Sequence, residues 1–394
     1  MKLLYSATSY PPSIGGGQLY THCLAQYMSR THDVQVVAHW DENRTDWLLG
    51  TTLRAPHHCK DYEIDGVPVH RMGIPGTMRW RFLPWVVSFY AMQGLAIDAL
   101  SESLFRQIAQ HIKPADLVHN VRMGREGLSY ASLKLARKWG VPFVLTPLHH
   151  PRWGGWMHRH FTQLYQMADG LLALTLHEKK VLVSLGANAD KVFVTGMGPI
   201  LADHSQPQRF RKLYSIDGPM VLFLGQKFRY KNFDALLDAA ELTWQRLSDV
   251  TFVFVGPRTR YSARRFGQVH DPRIIELGRV TLEEKTDALA ACDILCTPSS
   301  QESFGGVFVE AWMFEKPVIG GDAPAVADVI TDGYDGFLVS SEPAQIADRI
   351  VTLLRDTQLS VAMGTRGKQK VLNHYTWDEL GSKTETIYKK LMKV

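Results

Sequence analysis

The chain has 394 residues, of which 45% are hydrophobic and 21% are charged, and its formal net charge is +5. This length suits two domains of about 100–200 residues each. The composition is that of a globular protein and excludes disordered, collagen-like and solenoid chains. Four cysteines in such a length exclude a disulfide framework.

The positive charge is concentrated in the first half of the chain. Residues 1–200 contain 20 Lys and Arg against 14 Asp and Glu, whereas residues 201–394 contain 24 against 25. The first half also contains 13 of the 16 histidines. This imbalance indicates either an anionic partner or basic residues scattered over a solvated face, and the sequence favours neither.

Short apolar runs alternate with helical stretches along the whole chain. The runs are continuous, which is typical of parallel strands covered on both faces, and their alternation with helices predicts doubly wound sheets. The predicted strands are Lys2–Ala7, Val34–Ala38, Leu117–His119, Phe143–Thr146, Gly170–Thr175, Val192–Thr195, Val221–Leu224, Thr251–Val255, Ile294–Thr297, Pro317–Ile319 and Gly336–Val339.

The strand pattern breaks and restarts near residues 197–219, where Gly and Pro pairs enclose a polar run. We therefore predict two Rossmann-like α/β domains, residues 1–200 and 201–375, that face each other across a cleft. A capping box at Thr376 opens a terminal helix over residues 376–394. Because the chain begins directly with a strand pattern and no signal peptide, we expect a cytoplasmic protein.

A glycine-rich loop follows the first predicted strand. Gly15, Gly16 and Gly17 open a helix there, and such a start lets backbone N–H groups approach a phosphate or a sugar. The alternative is a flexible loop. The dinucleotide fingerprint G-x-G-x-x-G is absent, which disfavours a NAD-dependent dehydrogenase.

One segment of the first half mixes cations with aromatic side chains. Residues 79–90 read R-W-R-F-L-P-W-V-V-S-F-Y and lead into an apolar helix that Gln93, Gly94 and Asp98 interrupt, which excludes a membrane span. The segment can lie on an anionic bilayer, and the tryptophans of residues 153–156 can extend that face. The alternative is a core helix with a basic cap.

Histidines stand at the ends of two predicted strands. His119 closes one strand, and His149 and His150 follow another. Ligands of α/β proteins bind at the carboxyl ends of parallel strands, so a histidine there can bind a ligand or can be structural. Neither a zinc-ligand spacing nor a D-x-D triplet occurs, and we predict no metal and no cofactor.

Three cations crowd the turn after the predicted strand Val221–Leu224. Lys227, Arg229 and Lys231 lie there, at the edge of a parallel sheet where ligands bind. They can neutralise a diphosphate and the charge that grows on it as it departs. The alternative is a loop that only aids solubility.

Two carboxylates, Glu302 and Glu310, flank the pair Gly305 and Gly306 between a strand and a helix. The free N–H groups and the dipole of a helix start attract an anion. Glu310 can accept hydrogen bonds from ribose hydroxyls, and Glu302 can accept them from a sugar. The set therefore favours a nucleoside diphosphate sugar as ligand over two unrelated surface carboxylates.

These motifs resemble those of the retaining, GT-B-fold glycosyltransferases of family 4. The resemblance runs nearly end to end, through residues 15–17, 225–232, 293–306, 310 and 317–320. It implies an acceptor-binding first domain, a nucleotide-sugar-binding second domain and a last helix that crosses back to the first domain.

The resemblance also implies roles for single residues. Glu302 would contact the donor sugar, Glu310 the ribose and Lys231 the diphosphate. The backbone N–H groups of the turn would bind the sugar and the phosphates. The loop that contacts the nucleotide base would include Val280. The turn residues concerned are Ser303, Phe304, Gly305 and Gly306.

Three positions depart from the family pattern. Gln226 replaces the usual Arg, so Lys227 or Arg229 is expected to supply that charge. A second histidine is missing after His119, so His149 or His150 is expected in its place. Glu315 replaces a small residue before Lys-Pro.

The sequence thus predicts a metal-independent enzyme that moves a sugar from a nucleoside diphosphate sugar, expected to be UDP-linked, to a saccharide or lipid-linked saccharide with retention. No covalent nucleophile is evident, which favours front-face substitution. The alternatives are an epimerase or phosphorylase of the same fold, or a non-catalytic carbohydrate-binding partner. Contact with an anionic membrane stays open as the alternative to a core helix, and we expect no nucleic-acid partner.

Overall fold

The computed structural model describes residues 1–13, 15–40, 47–122, 127–149 and 155–393. The chain divides into two compact units. The first unit comprises Met1–Gly196 together with Trp377–Val394, and the second comprises Met197–Thr376.

Among the described residues, the first unit has an eight-stranded sheet in the order β3-β4-β2-β1-β5-β6-β7-β8. All neighbouring strands pair in parallel except β3 and β4, which form an antiparallel hairpin at one edge. The strands are β1 (Lys2–Ser9), β2 (Asp33–Trp40), β3 (Lys60–Ile64), β4 (Val67–Arg71), β5 (Leu117–Val121), β6 (Phe143–Thr146), β7 (Gly170–Ala173) and β8 (Val192–Val194).

Helices cover both faces of this sheet. On β1, Leu4 packs in one cluster with Leu100 and Leu104, whereas Tyr5 points to the opposite face and contacts Tyr388. The helices that precede residue 196 are α1 (Gly16–Ser29), α2 (Trp47–Gly50), α3 (Gly76–Val87), α4 (Gln93–His111), α5 (Gly127–Trp139), α6 (Arg159–Met167) and α7 (Leu176–Ser184).

The described residues of the second unit form a six-stranded parallel sheet in the order β11-β10-β9-β12-β13-β14. The strands in the middle of this sheet are short and fully buried, because helices cover them on both sides. The strands of the sheet are β9 (Met220–Leu224), β10 (Thr251–Val255), β11 (Ile274–Leu277), β12 (Ile294–Thr297), β13 (Val318–Gly321) and β14 (Phe337–Val339).

Phenylalanines dominate one core cluster of this unit. Phe223 and Phe254 lie 5.7 Å apart between ring centroids, and Phe233 stacks on Phe266 at 5.6 Å. The helices are α8 (Pro207–Leu213), α9 (Phe233–Trp244), α10 (Arg260–Phe266), α11 (Leu282–Ala291), α12 (Gly306–Met313), α13 (Pro324–Ala327), α14 (Pro343–Arg355) and α15 (Thr357–His374).

The last helix, α16 (Trp377–Met392), belongs to the first unit and packs beside α1. Trp377 meets Tyr20 edge to face, and Arg30 pairs with Asp378 at 2.6 Å. The prediction of two α/β domains with parallel sheets and a returning C-terminal helix is thereby confirmed.

The structure adds three strands that the sequence reading did not include, namely β3, β4 and β11. It also extends β5 to Val121, so that His119 lies inside the strand. The prediction that His119 closes this strand is wrong, because the two residues after it, Asn120 and Val121, continue the pairing with β1 and β6.

Candidate active site

The Glu302 loop joins β12 to α12 at the carboxyl edge of the second sheet. Gly305, the residue before the helix, has φ +86°, and a Cβ there would lie 2.5 Å from the ring of Phe308. Only glycine fits this position without strain. The chain therefore turns sharply into α12, and the first N–H groups of that helix are directed out of its start.

Glu302 forms an ion pair with Lys231, which follows the neighbouring strand β9. Both side chains are largely buried. Two hydrogen bonds tie their loops together: the Asn232 side chain donates to the Pro298 carbonyl at 2.8 Å, and Ser300 N–H donates to the Tyr230 carbonyl at 2.9 Å. A carboxylate and an ammonium are thus fixed beside a helix start.

Glu310 lies four residues into α12 and is buried. Lys285 of α11 donates to it at 2.8 Å and also donates to the Ile200 carbonyl at 2.6 Å. Burial raises the pKa of Glu310, while Lys285 and the backbone of Ile200 oppose that shift. Lys285 therefore favours the ionised form of the carboxylate.

The Lys227 side chain points into the interior of the second unit and not out of the sheet edge. Its ammonium is buried and donates to the carbonyls of Gly256 and Leu277 at 2.6 and 2.7 Å, with Glu276 at 3.3 Å. Burial lowers its pKa. This placement departs from the prediction that Lys227 neutralises a diphosphate, because the amine is already used to join the ends of β10 and β11.

The remaining predicted residues of the second unit differ in exposure. Arg229 is exposed and lies 4.9 Å from the Tyr261 ring centroid. Ser303 and Val280 are partly buried. Phe304 is buried and meets Tyr375 edge to face at 5.3 Å, so it has only its backbone to offer a ligand.

In the first unit, α1 begins at Gly16, directly after Gly15 in extended conformation. A Cβ at Gly15 would collide with the side chain of Gln18, which donates to Ser9 at 2.7 Å. Gly17 occupies the first turn of the helix. The three predicted glycines therefore lie together at a helix start, next to the carboxyl end of β1.

His119 is a structural histidine. Its Nδ1 lies 2.6 Å from the Tyr388 hydroxyl and its Nε2 lies 2.8 Å from Thr146 Oγ1. Burial lowers its pKa to about 3, so the ring is neutral. The expected ligand role of His119 is not supported, because both ring nitrogens already bind side chains inside the unit.

His149 belongs to a buried polar cluster at the carboxyl ends of β5, β6 and β7. Its ring Nδ1 lies 3.0 Å from the Tyr165 hydroxyl, and its backbone N–H donates to the Glu178 carboxylate at 2.7 Å. Arg122 contacts the same hydroxyl at 3.3 Å. Burial raises the pKa of Glu178 to about 7, although two backbone N–H groups and Arg122 oppose the shift. His150 lies outside the described residues.

The sequence reading missed four charged or polar members of these clusters: Arg122, Tyr165, Glu178 and Lys285. Arg122 directly follows β5, and Glu178 lies in the first turn of α7, the helix that follows β7. Their positions after two strands could have indicated both residues from the sequence. Tyr165 and Lys285 lie inside helices. Only the fold brings them to their partners.

Two family models match most of the chain. The glycosyl transferase 4-like domain matches residues 15–198, and glycosyl transferases group 1 matches residues 218–356. The chain belongs to the group 1 glycosyltransferases.

Curated relatives of this group 1 glycosyltransferase align over part of their length. The phosphatidyl-myo-inositol mannosyltransferase of Mycobacterium leprae is 33% identical over 177 residues, which cover 43% of this chain and 46% of the relative. The D-inositol 3-phosphate glycosyltransferase of Xylanimonas cellulosilytica is 26% identical over 249 residues, 59% of each chain. The chain thus spans about half the length of the curated relatives it matches.

Solved structures match the group 1 glycosyltransferase over its whole length. Anabaena HepE in complex with UDP-glucose has a TM-score of 0.74 at 18% identity and covers 100% of both chains. Sucrose-phosphate synthase from Thermosynechococcus elongatus has a TM-score of 0.76 at 14% identity, also with 100% of both chains covered. At these identities the likeness shows the fold, which is the two-domain GT-B type.

Proposed function

We propose that this group 1 glycosyltransferase moves a sugar from a UDP-sugar to a hydroxyl of a saccharide or lipid-linked saccharide, with retention of the anomeric configuration. The observation that carries the proposal is the Glu302–Lys231 pair beside the start of α12. The Glu302 carboxylate can accept hydrogen bonds from sugar hydroxyls, and the Lys231 ammonium can donate them to a diphosphate. The two groups lie on neighbouring loops.

The diphosphate would lie at the start of α12. Backbone N–H groups of Gly305 and Gly306 point out of the helix, and its dipole favours a negative charge. Lys231 and the exposed Arg229 add two cations on the neighbouring loop. This combination supports binding of a nucleoside diphosphate and stabilises it as a leaving group.

The ribose would bind Glu310. Two vicinal hydroxyls donate stronger hydrogen bonds to an ionised carboxylate than to a protonated one. Lys285 supports that state at 2.8 Å. The choice of uridine rests on HepE, which was solved with UDP-glucose.

In the transfer step the bond between the anomeric carbon and the diphosphate oxygen breaks, and its electron pair leaves with UDP. The acceptor oxygen forms its bond to the same face of that carbon. Its proton passes to the departing diphosphate. Lys231 and Arg229 would stabilise the growing charge there, and Glu302 would hold the sugar hydroxyls in place.

The test is UDP release from UDP-sugars by the full chain in the presence of a panel of saccharide acceptors. Glu302→Gln should lower kcat/KM by about 10²-fold, since a charge-assisted hydrogen bond contributes about 1.5–3 kcal/mol. Glu342→Gln, at an exposed carboxylate outside the site, is the control and should keep full activity.

Two results would overturn the proposal. One is a folded Glu302→Gln protein that transfers sugar at the wild-type rate. The other is turnover that needs inorganic phosphate and no acceptor, which would indicate a phosphorylase of the same fold.

A further inference from the structure

Helix α3 presents an apolar stripe to solvent. Trp80 and Val87 are 76% and 78% exposed, and Leu83 between them is also exposed. These positions share one face of the helix, while Phe82 and Val86 on the other face are buried. A surface helix of a globular protein normally turns its apolar stripe inward, so this face is available to a partner.

Further exposed apolar side chains lie on the segments that follow α3. A Cβ at Gly94, at the start of α4, would lie 3.6 Å from the His160 ring, so the start of α6 lies beside α4. Trp156, just before α6, is 63% exposed. We call these exposed apolar residues together the aromatic surface; they are Trp80, Leu83, Val87, Tyr90, Leu95 and Trp156.

The two segments that carry the aromatic surface contain charges of one sign only. Residues 72–97 and 155–168 contain three arginines and no acidic residue. Arg81 is exposed, and Arg159 lies 4.4 Å from the Trp156 ring centroid. The nearest acidic residue in sequence, Asp98, pairs with Lys134 at 2.7 Å. The surface is therefore apolar, rich in tryptophan and bordered by cations.

We infer that the aromatic surface docks this protein on an anionic lipid bilayer. Tryptophan rings favour the level of the lipid headgroups, and arginines beside them attract anionic lipids. No helix among the described residues meets the length and hydropathy that crossing a bilayer requires. The contact would be peripheral, with α3 lying in the plane of the interface.

The experiment is sedimentation of the full chain with vesicles of phosphatidylcholine alone or mixed with phosphatidylglycerol. The wild-type chain should sediment with the mixed vesicles and not with the neutral ones. Trp80→Ser and Val87→Gln should each lower this binding about tenfold by removing buried apolar area. Arg81→Gln should lower it about fivefold, and added salt should weaken the wild type.

Matched controls lie on α15 in the other unit. Val361 and Leu372 are exposed apolar residues there, and Val361→Gln and Leu372→Gln should bind vesicles as the wild type does. Each variant should keep the wild-type melting temperature, because exposed side chains change stability little.

Equal binding of Trp80→Ser and the wild type would overturn the inference, as would failure of the wild type to bind phosphatidylglycerol. Self-association that Trp80→Ser abolishes, without vesicle binding, would also overturn it and would assign the surface to a second copy of the chain.

Discussion

Lys285 and Glu310 form a buried ion pair between α11 and α12, with 18% and 6% of their side chains exposed. Lys285→Met leaves the carboxylate buried without its cation, so we expect a loss of about 3 kcal/mol in the free energy of unfolding. Thermal or urea unfolding of the full chain measures the change.

The control for this prediction is Lys368→Met. Lys368 pairs with Glu315 on the surface of the same unit at 3.2 Å, where a pair contributes less than about 1 kcal/mol. Equal losses in the free energy of unfolding for the two substitutions would show that the buried Lys285–Glu310 pair contributes no more to stability than a surface pair.

Single residues also mark the limit of what the sequence predicts. The spacing places Lys227, Arg229 and Lys231 in one turn, yet only the structure shows that Lys227 points inward to two carbonyls. The histidines show the same limit: position near a strand end does not reveal that Tyr388 and Thr146 bind both nitrogens of His119. Side-chain direction depends on neighbours that are distant in sequence.

At the scale of elements, the start of α12 depends on Gly305. Gly305→Ala would place a Cβ 2.5 Å from the Phe308 ring in a left-handed backbone conformation. We expect a loss of at least about 1–2 kcal/mol in the free energy of unfolding, together with weaker donor binding. Thermal unfolding and titration with UDP measure the two effects.

Gly278→Ala is the stability control, since a Cβ there meets no atom within 4 Å. If Gly305→Ala unfolds at the wild-type temperature, the backbone at this turn is not under the constraint that we assign to it.

The predictable elements are those with a continuous apolar pattern. Eleven strands could be predicted because they contain short, mainly apolar runs, as strands covered on both faces do. The hairpin β3–β4 lies at an edge and carries polar residues, although Asp65-Gly66 is a strong signal for a two-residue hairpin turn. Strand β11 is a half-buried edge strand of four residues, too short for its pattern to stand out.

At the scale of the whole molecule, α16 ties the C-terminus to the first unit. The Tyr388 hydroxyl lies 2.9 Å from the Tyr5 hydroxyl and 2.6 Å from His119 Nδ1, inside the unit. Tyr388→Phe leaves both partners buried without this bond, so we expect a loss of about 1–3 kcal/mol in stability. Thermal unfolding measures it.

Tyr334→Phe is the control, because Tyr334 is about half exposed and should change stability by less than about 0.5 kcal/mol. Identical melting temperatures for Tyr388→Phe and the wild type would contradict the anchoring role of α16.

The domain layout was the most predictable property of the molecule, because the β-α repeat restarts after residue 219 and the capping box opens the last helix. Which side chains of residues 79–90 reach the surface was not predictable in the same way. Arg79 and Arg81 are equivalent in sequence, but Arg79 donates to the Ile74 carbonyl while Arg81 is exposed. Exposure of Trp80 and Val87 emerges only from the packing of α3.

The central claim is that, in the second unit, Glu302 binds the sugar of a UDP-sugar and Glu310 binds its ribose. Calorimetric titration of wild type, Glu302→Gln and Glu310→Gln with UDP and with UDP-glucose tests it most directly. Glu310→Gln should weaken the binding of UDP by about 10–10²-fold, whereas Glu302→Gln should weaken the binding of UDP-glucose more than the binding of UDP. Failure of the wild type to bind UDP, or unchanged UDP binding in Glu310→Gln, would contradict the claim.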